Sequence, residues 1–215
     1  MINDEKQHQA AKRPIASAYS MTNLLDYEPF VDSTSKLFVE RMSTLYANTG
    51  KVCDFGEWLQ WYAFDVIGEM TFGRRFGFLE QGKDVANMID VVQASGWYTA
   101  VIGQMPWLDF LLAKNPFIET SWAKQKGAIS RFVMTFLGPR IEEANRVRNG
   151  EEKVVKDRTD FTAKFIAAAD KYHGKIPAQQ LLGWSLSNIN AGSDSTAITL
   201  RAIFCKFKGR GPVRY

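Results

Sequence analysis

The sequence predicts an all-α protein. Three observations lead there. Apolar residues recur at the 3.6-residue period through most of the 215 residues, no segment keeps the two-residue alternation of a strand, and Asp, Pro and Gly fall where helices would start and stop. The first clear stripe is Tyr27, Phe30, Val31, Leu37, Phe38, Met42 and Leu45; Asp26 can cap it, Pro29 suits its first turn and Gly50 stops it. Asp54 and Glu57 then form a capping-box-like pair. Behind them Phe55, Trp58, Leu59, Tyr62, Ala63, Val66 and Met70 line one face, while Trp61, Phe64 and Ile67 lie on others, so this helix should be buried nearly all round.

A third helix is expected over 84–101. Pro106 and Pro116 bracket a loop with a short apolar segment, 107–112. A longer helix follows over 117–148, where Gly138-Pro139 should kink or divide it. The mixed charges of 140–158 read as a solvated helix end and loop. Asp160 caps a short helix with Phe161, Phe165 and Ile166 inward, ended by Gly174. Pro177 opens a last helix reaching about residue 207. No internal repeat is found.

Composition narrows the function classes. With 46% hydrophobic and 23% charged residues the chain is an ordinary globular one, and 15 Phe, 7 Tyr and 6 Trp promise an aromatic core. The net charge of +4 is local: Lys206, Lys208, Arg210 and Arg214 account for all of it, leaving 23 basic against 23 acidic residues over 1–204. A neutral body is weak ground for a nucleic-acid-binding fold, and no nucleic-acid partner is expected. Cys53 and Cys205 are the only cysteines, which excludes a disulfide framework and a cysteine zinc site and suits a reducing compartment. Residues 1–12 are polar, unlike a secretory leader. The longest uncharged stretches, 91–108 and 176–193, carry Gln, Asn, Ser and Gly, so no membrane span is expected.

Searches for catalytic motifs return little. His8 and His173 are the only histidines and neither has a second ligand at metal spacing. Gly73-Arg74-Arg75-Phe76-Gly77 superficially suggests a phosphate loop, but it follows a helix with no strand before it and reads as a plain turn. One segment is odd. Ala191-Gly192-Ser193-Asp194-Ser195-Thr196 lies where a helix interior is expected, although Gly, Ser, Asp and Thr each cost up to ~1 kcal/mol there relative to Ala. Two readings compete. In one, favoured by spacing alone, the helix ends near Asn190 and Ser193, Asp194 or Ser195 caps a new one. In the other the helix is continuous and distorted by Ser and Thr bonding back to carbonyls four residues earlier. Gly192 then bares backbone to a flat ligand, and Asp194 and Ser195 offer a proton donor and a hydroxyl.

The segment 188–198, Asn-Ile-Asn-Ala-Gly-Ser-Asp-Ser-Thr-Ala-Ile, resembles the long central helix I of the cytochrome P-450 family, the haem-thiolate monooxygenases, whose pattern there is Ala/Gly-Gly-x-Asp/Glu-Thr-Thr/Ser. Other segments agree in order. Phe64-Asp65-Val66-Ile67-Gly68-Glu69-Met70-Thr71-Phe72-Gly73 looks like helix E and its turn; 8–20, with Lys12-Arg13-Pro14 and Ala18-Tyr19-Ser20, looks like helix C; Pro106-Trp107-Leu108-Asp109 matches the connection over the substrate pocket. The resemblance is to fungal, pisatin-demethylase-like members and spans about 5–204, with 205–215 a basic tail outside it.

The resemblance implies roles. Ala191 and Gly192 would lie against the distal face of a haem cofactor, Asp194 would belong to proton delivery, and Ser195 takes the place of the oxygen-activating threonine. His8 and Lys12, one turn apart, match the positions that hold a haem propionate, with Arg13 able to substitute. A solvated helix face is the alternative for Lys12 and Arg13. Trp97, Tyr98 and Trp107 could line the substrate roof, core packing being their other reading. The implied chemistry is insertion of one oxygen atom of O2 into a small organic substrate, with electrons from NADPH through a partner reductase. Family members associate with the endoplasmic-reticulum membrane, whereas a piece without an anchor would be cytoplasmic.

The departures are as informative. The family's iron is held by a cysteine thiolate in a Phe-x-x-Gly-x-x-x-Cys-x-Gly loop, downstream of the central helix. These 215 residues hold no such loop, and Cys53 and Cys205 stand in the wrong places for it. The Glu-x-x-Arg pair is missing, since Glu143 and Arg146 match its spacing only upstream of the central helix. The family's anchor, early helices and β-sheet are not seen either. The reading is a partial P-450 domain, helix C to helix I, inactive alone. A non-enzymatic helical interaction protein derived from such an enzyme is the alternative.

Overall fold

The computed structural model describes residues 5, 9, 12–111, 121–151, 159–172 and 177–208. A 3-10 turn, Arg13–Tyr19, is followed by α1 (Met21–Leu25) and by α2 (Glu28–Met42), which a π-type turn, Ser43–Ala47, extends. Then come α3 (Phe55–Phe72), α4 (Phe78–Gln81), a 3-10 turn over Val85–Asn87, α5 (Met88–Gln104), α6 (Leu108–Leu111), α7 (Ser121–Arg148), α8 (Phe161–Lys171) and α9 (Ala178–Lys208). Among the described residues there is no strand, and the all-α expectation holds. The expected features at Pro116, Phe117 and Gly174 lie outside the described residues.

Helix α3 is the axis of the molecule and packs against α2, α4, α8 and α9. Its start is the expected one: the Asp54 carboxylate accepts from the Glu57 N–H at 3.0 Å. Trp58, Leu59, Trp61, Ala63, Phe64 and Phe72 are all buried, on every side of the helix, which is why its apolar residues do not form one stripe. Beyond it lies an aromatic cluster. Phe76 meets Phe136 edge-on at 5.2 Å and Phe132 at 5.5 Å, and Phe72 meets Phe136 at 5.6 Å. Each such pair is worth ~0.5–1.5 kcal/mol beyond the area it buries.

Two local expectations are corrected and one, that Gly138-Pro139 kinks or divides its helix, loses its second alternative. Asp26 does not cap α2: Tyr27 stands at that position without a side-chain bond, and Asp26 instead closes α1 and pairs with Lys164 at 3.1 Å. Gly138-Pro139 does not divide α7, which runs unbroken through it. Val133 and Leu137 are fully buried just before the proline and Arg140 is pinned just after it, so tertiary contacts outweigh one missing backbone bond. Arg140 itself is no solvated helix end. Its Nη1 and Nη2 reach the two oxygens of Asp160 at 2.9 and 3.2 Å, and Nη1 also donates to the Phe72 carbonyl at 3.1 Å.

That corner completes the end of α3. Its terminal carbonyls have no partner within the helix. Arg140 takes Phe72, and the Thr162 hydroxyl donates to Thr71 at 2.6 Å. Asp160 meanwhile caps α8 as expected, accepting from the Ala163 N–H at 2.8 Å. Gly73 turns the chain at φ +68°, and a Cβ there would stand 3.2 Å from an Asp160 oxygen, so the glycine serves both the backbone and the corner.

The 73–77 turn is a plain turn, and its last amide, with the first two of α4, already holds an anion from the same chain. The buried Asp65 carboxylate accepts from the N–H groups of Gly77 at 2.9 Å, Phe78 at 3.2 Å and Leu79 at 2.8 Å. Burial pushes its pKa up to about 6, against the pull of those three bonds.

Candidate functional site

The odd segment of the sequence sits in the middle of α9, which runs unbroken from Ala178 to Lys208. The cap reading is therefore wrong, and the helix is continuous as the second reading has it. The polar residues are tolerated because their hydroxyls turn inward to the helix. Ser185 donates to the Leu181 carbonyl at 3.0 Å, Ser193 to Ile189 at 2.6 Å and Thr199 to Ser195 at 2.8 Å, while Ser195 donates to Ala191. Each bond satisfies a hydroxyl without a partner from another element.

The six-residue segment is divided by burial. Gly192 packs on Ile67 of α3 and Ser193 is buried, whereas Ala191, Ser195 and Thr196 are exposed. Gly192 does not present bare backbone on the α3 side: a Cβ there would lie 2.9 Å from the Cδ1 of Ile67. The missing side chain lets two helices approach, a packing role the motif alone did not suggest.

Asp194 is half-buried. Gln60 donates to it at 3.2 Å, and Arg201 donates to Gln60 at 2.7 Å and to the Gly56 carbonyl at 2.9 Å. Burial raises the Asp194 pKa above the ordinary carboxylate range, and the Arg201 charge offsets part of that rise. Gln60 and Arg201 were missed in the sequence. The available signals were a glutamine flanked on both sides by apolar residues, Trp58-Leu59 and Trp61-Tyr62, and the lone charge between Asp194 and Lys206.

The remaining candidates are less gathered. His8 lies outside the described residues. Lys12 and Arg13 are exposed at the start of the first 3-10 turn. That turn is tied to α9 by Tyr19, whose hydroxyl donates to Asn188 at 2.5 Å, one turn before Ala191. Trp97 and Trp107 are 76% and 57% exposed, so the core-packing reading fails for both. Tyr98 bonds Asp109 at 2.6 Å, joining α5 to α6.

Neither thiol stands where it could ligate a haem iron beside Ala191. Cys205 lies 14 residues further along the same helix, roughly 20 Å at 1.5 Å per residue. Cys53 precedes α3 and lines the same cleft as Cys205. No three His, Cys, Asp or Glu side chains are gathered as a metal site among the described residues. The residues present do not by themselves fit the haem, and no step through it is derived. No helix among the described residues is long and apolar enough to cross a membrane.

Helix α9, which carries the Ala-Gly-x-Asp-Ser run, packs along the buried helix α3, and no strand occurs among the described residues. The chain belongs to the cytochrome P450 family, whose model matches residues 1–207. It is 43% identical over 203 residues to a cytochrome P450 monooxygenase of Aspergillus terreus, covering 94% of this chain and 40% of that protein. It is 43% identical over 205 residues to the cytochrome P450 monooxygenase cicH of Emericella nidulans, covering 94% and 39%. Against the cytochrome P450 monooxygenase asR2 of Sarocladium schorii the identity is 35% over 203 residues, covering 94% and 39%. The chain thus spans about two fifths of the relatives it matches. No solved structure matches it.

Proposed function

We propose that this chain is the oxygen-side portion of a fungal haem-thiolate monooxygenase, and that these residues alone are not a competent enzyme. The parent reaction inserts one atom of O2 into a small organic substrate, with NADPH-derived electrons delivered by a partner reductase. The observation that carries the reading is the open face of α9. Ala191 and Ser195 are exposed on it, the Asp194 carboxyl with its raised pKa stands beside them, and the nearest thiol on the helix is roughly 20 Å away.

In this reading the open face is where a haem would lie in the whole protein. Ala191 gives it a small contact, while Asp194, steadied by Gln60, serves as a proton relay toward Ser195. Lys12 and Arg13, exposed and tied toward α9 through Tyr19, are the cations for a propionate, with His8 as the third candidate. The wholly fungal set of relatives described above supports the fungal assignment, and the pisatin-demethylase-like likeness is a finer proposal of the same kind.

The test is spectroscopic. Purified chain, reduced with added haem and carbon monoxide, should give no thiolate-type Soret band. Such a band from these residues alone would overturn the reading. The second reading, a helical interaction protein, draws on Ile198 and Phe207, 63% and 69% exposed on α9. A stable monomer that binds no haem would favour it.

A further inference from the structure

The two cysteines, 152 positions apart in sequence, are brought to one place by the pairing of α3 with α9. The pairing is antiparallel, and its register can be followed step by step. Gly192 lies against Ile67, Arg201 bonds Gln60 at 2.7 Å and the Gly56 carbonyl at 2.9 Å, and Phe204 meets Phe55 edge-on at 4.9 Å. Each step toward the start of α3 is a step toward the end of α9. Cys205 follows Phe204 directly and Cys53 lies two residues before Phe55, and both line one cleft of about 790 Å³ whose walls include Val52, Phe55, Leu59 and Phe207. Both are free thiols, Cys53 half-buried and Cys205 exposed, so an attacking reagent has access to the pair.

We propose that Cys53 and Cys205 are a reversible dithiol–disulfide pair that clasps the start of α3 to the end of α9. The oxidant is a low-molecular-weight disulfide such as oxidised glutathione. One thiolate attacks its S–S bond, forming a mixed disulfide and releasing one thiol. The second protein thiolate attacks the mixed disulfide, forming the intramolecular bond and releasing the second thiol. The two protein protons leave on the two released thiols, and two electrons pass from the protein sulfurs to the oxidant. In a reducing compartment the pair rests as thiols and closes only when the thiol pool is oxidised.

The experiment uses the full chain, folded, with oxidised glutathione in mildly alkaline buffer. The expected product is a monomer on a non-reducing gel, about 2 Da lighter than the reduced chain, with one dithiothreitol-sensitive peptide joining Cys53 to Cys205. Closure should be at least about tenfold faster than in urea, where roughly 150 residues of loose chain separate the thiols. Cys53→Ser and Cys205→Ser should each stop at a glutathione adduct on the remaining cysteine. Wild-type chain that stops at adducts, yields only intermolecular dimers, or closes no faster folded than unfolded would overturn the proposal.

Discussion

Replacing Asp65 by alanine strips the acceptor from three amides at once. Gly77, Phe78 and Leu79 donate to this carboxylate, and Phe78 and Leu79 are fully buried, so water cannot take its place. A hydrogen bond to a charged group contributes ~1.5–3 kcal/mol, which puts the gross loss near ~4–9 kcal/mol for three. Against this stands the cost of burying the charge. A pKa raised from 3.8 to about 6 corresponds to roughly 3 kcal/mol at neutral pH, which the alanine variant no longer bears. The net expectation is a destabilisation of about 1–6 kcal/mol, read as a lower urea midpoint by circular dichroism. Asp65→Asn, which keeps one acceptor oxygen, should lie between wild type and alanine. The same residue sets a pH signature. Its folded pKa is raised, so its contribution is full below about pH 4 and is lost as pH rises through about 6. The stability of wild type relative to Asp65→Asn should therefore fall across that window. An alanine variant within about 0.5 kcal/mol of wild type, or a flat difference across the window, would refute the argument.

Other perturbations test other contacts. Arg140→Met leaves Asp160 buried without its partner and frees the Phe72 carbonyl; a loss of about 3–5 kcal/mol is expected by urea denaturation, and a change under 1 kcal/mol would contradict the described corner. Gly192→Val drives a side chain into Ile67 and should cost about 1–3 kcal/mol; combining it with Ile67→Ala should cost less than the two changes summed. Additive losses would mean that the two residues do not touch.

Helix positions were legible because periodicity and caps are local. Asp54 and Asp160 accept the amides three residues on, as their spacing suggests, and the all-round burial of α3 follows from its apolar density. What failed was tertiary. Pro139 is tolerated because neighbours hold both sides of it, and Arg140 is buried because its partner arrives from twenty residues further on. Charge-mixed segments look alike whether solvated or paired. At the site, the motif located α9 and its polar core, but not which face each residue would take. Ala191 and Gly192 are adjacent in sequence yet point about 100° apart around the helix, and only the packed Ile67 reveals the glycine's neighbour.

The Arg140–Asp160 corner has a consequence for how the sequence can vary. Asp160 has two duties: a short side chain that caps α8, and a charge that neutralises Arg140. Asparagine keeps the first and loses the second, while glutamate keeps the charge but moves it a methylene away from the cap. Neither residue can therefore drift singly without harm. Across the family's descendants, positions 140 and 160 should change together or not at all, and Gly73, whose Cβ would crowd the carboxylate, is held by the same constraint.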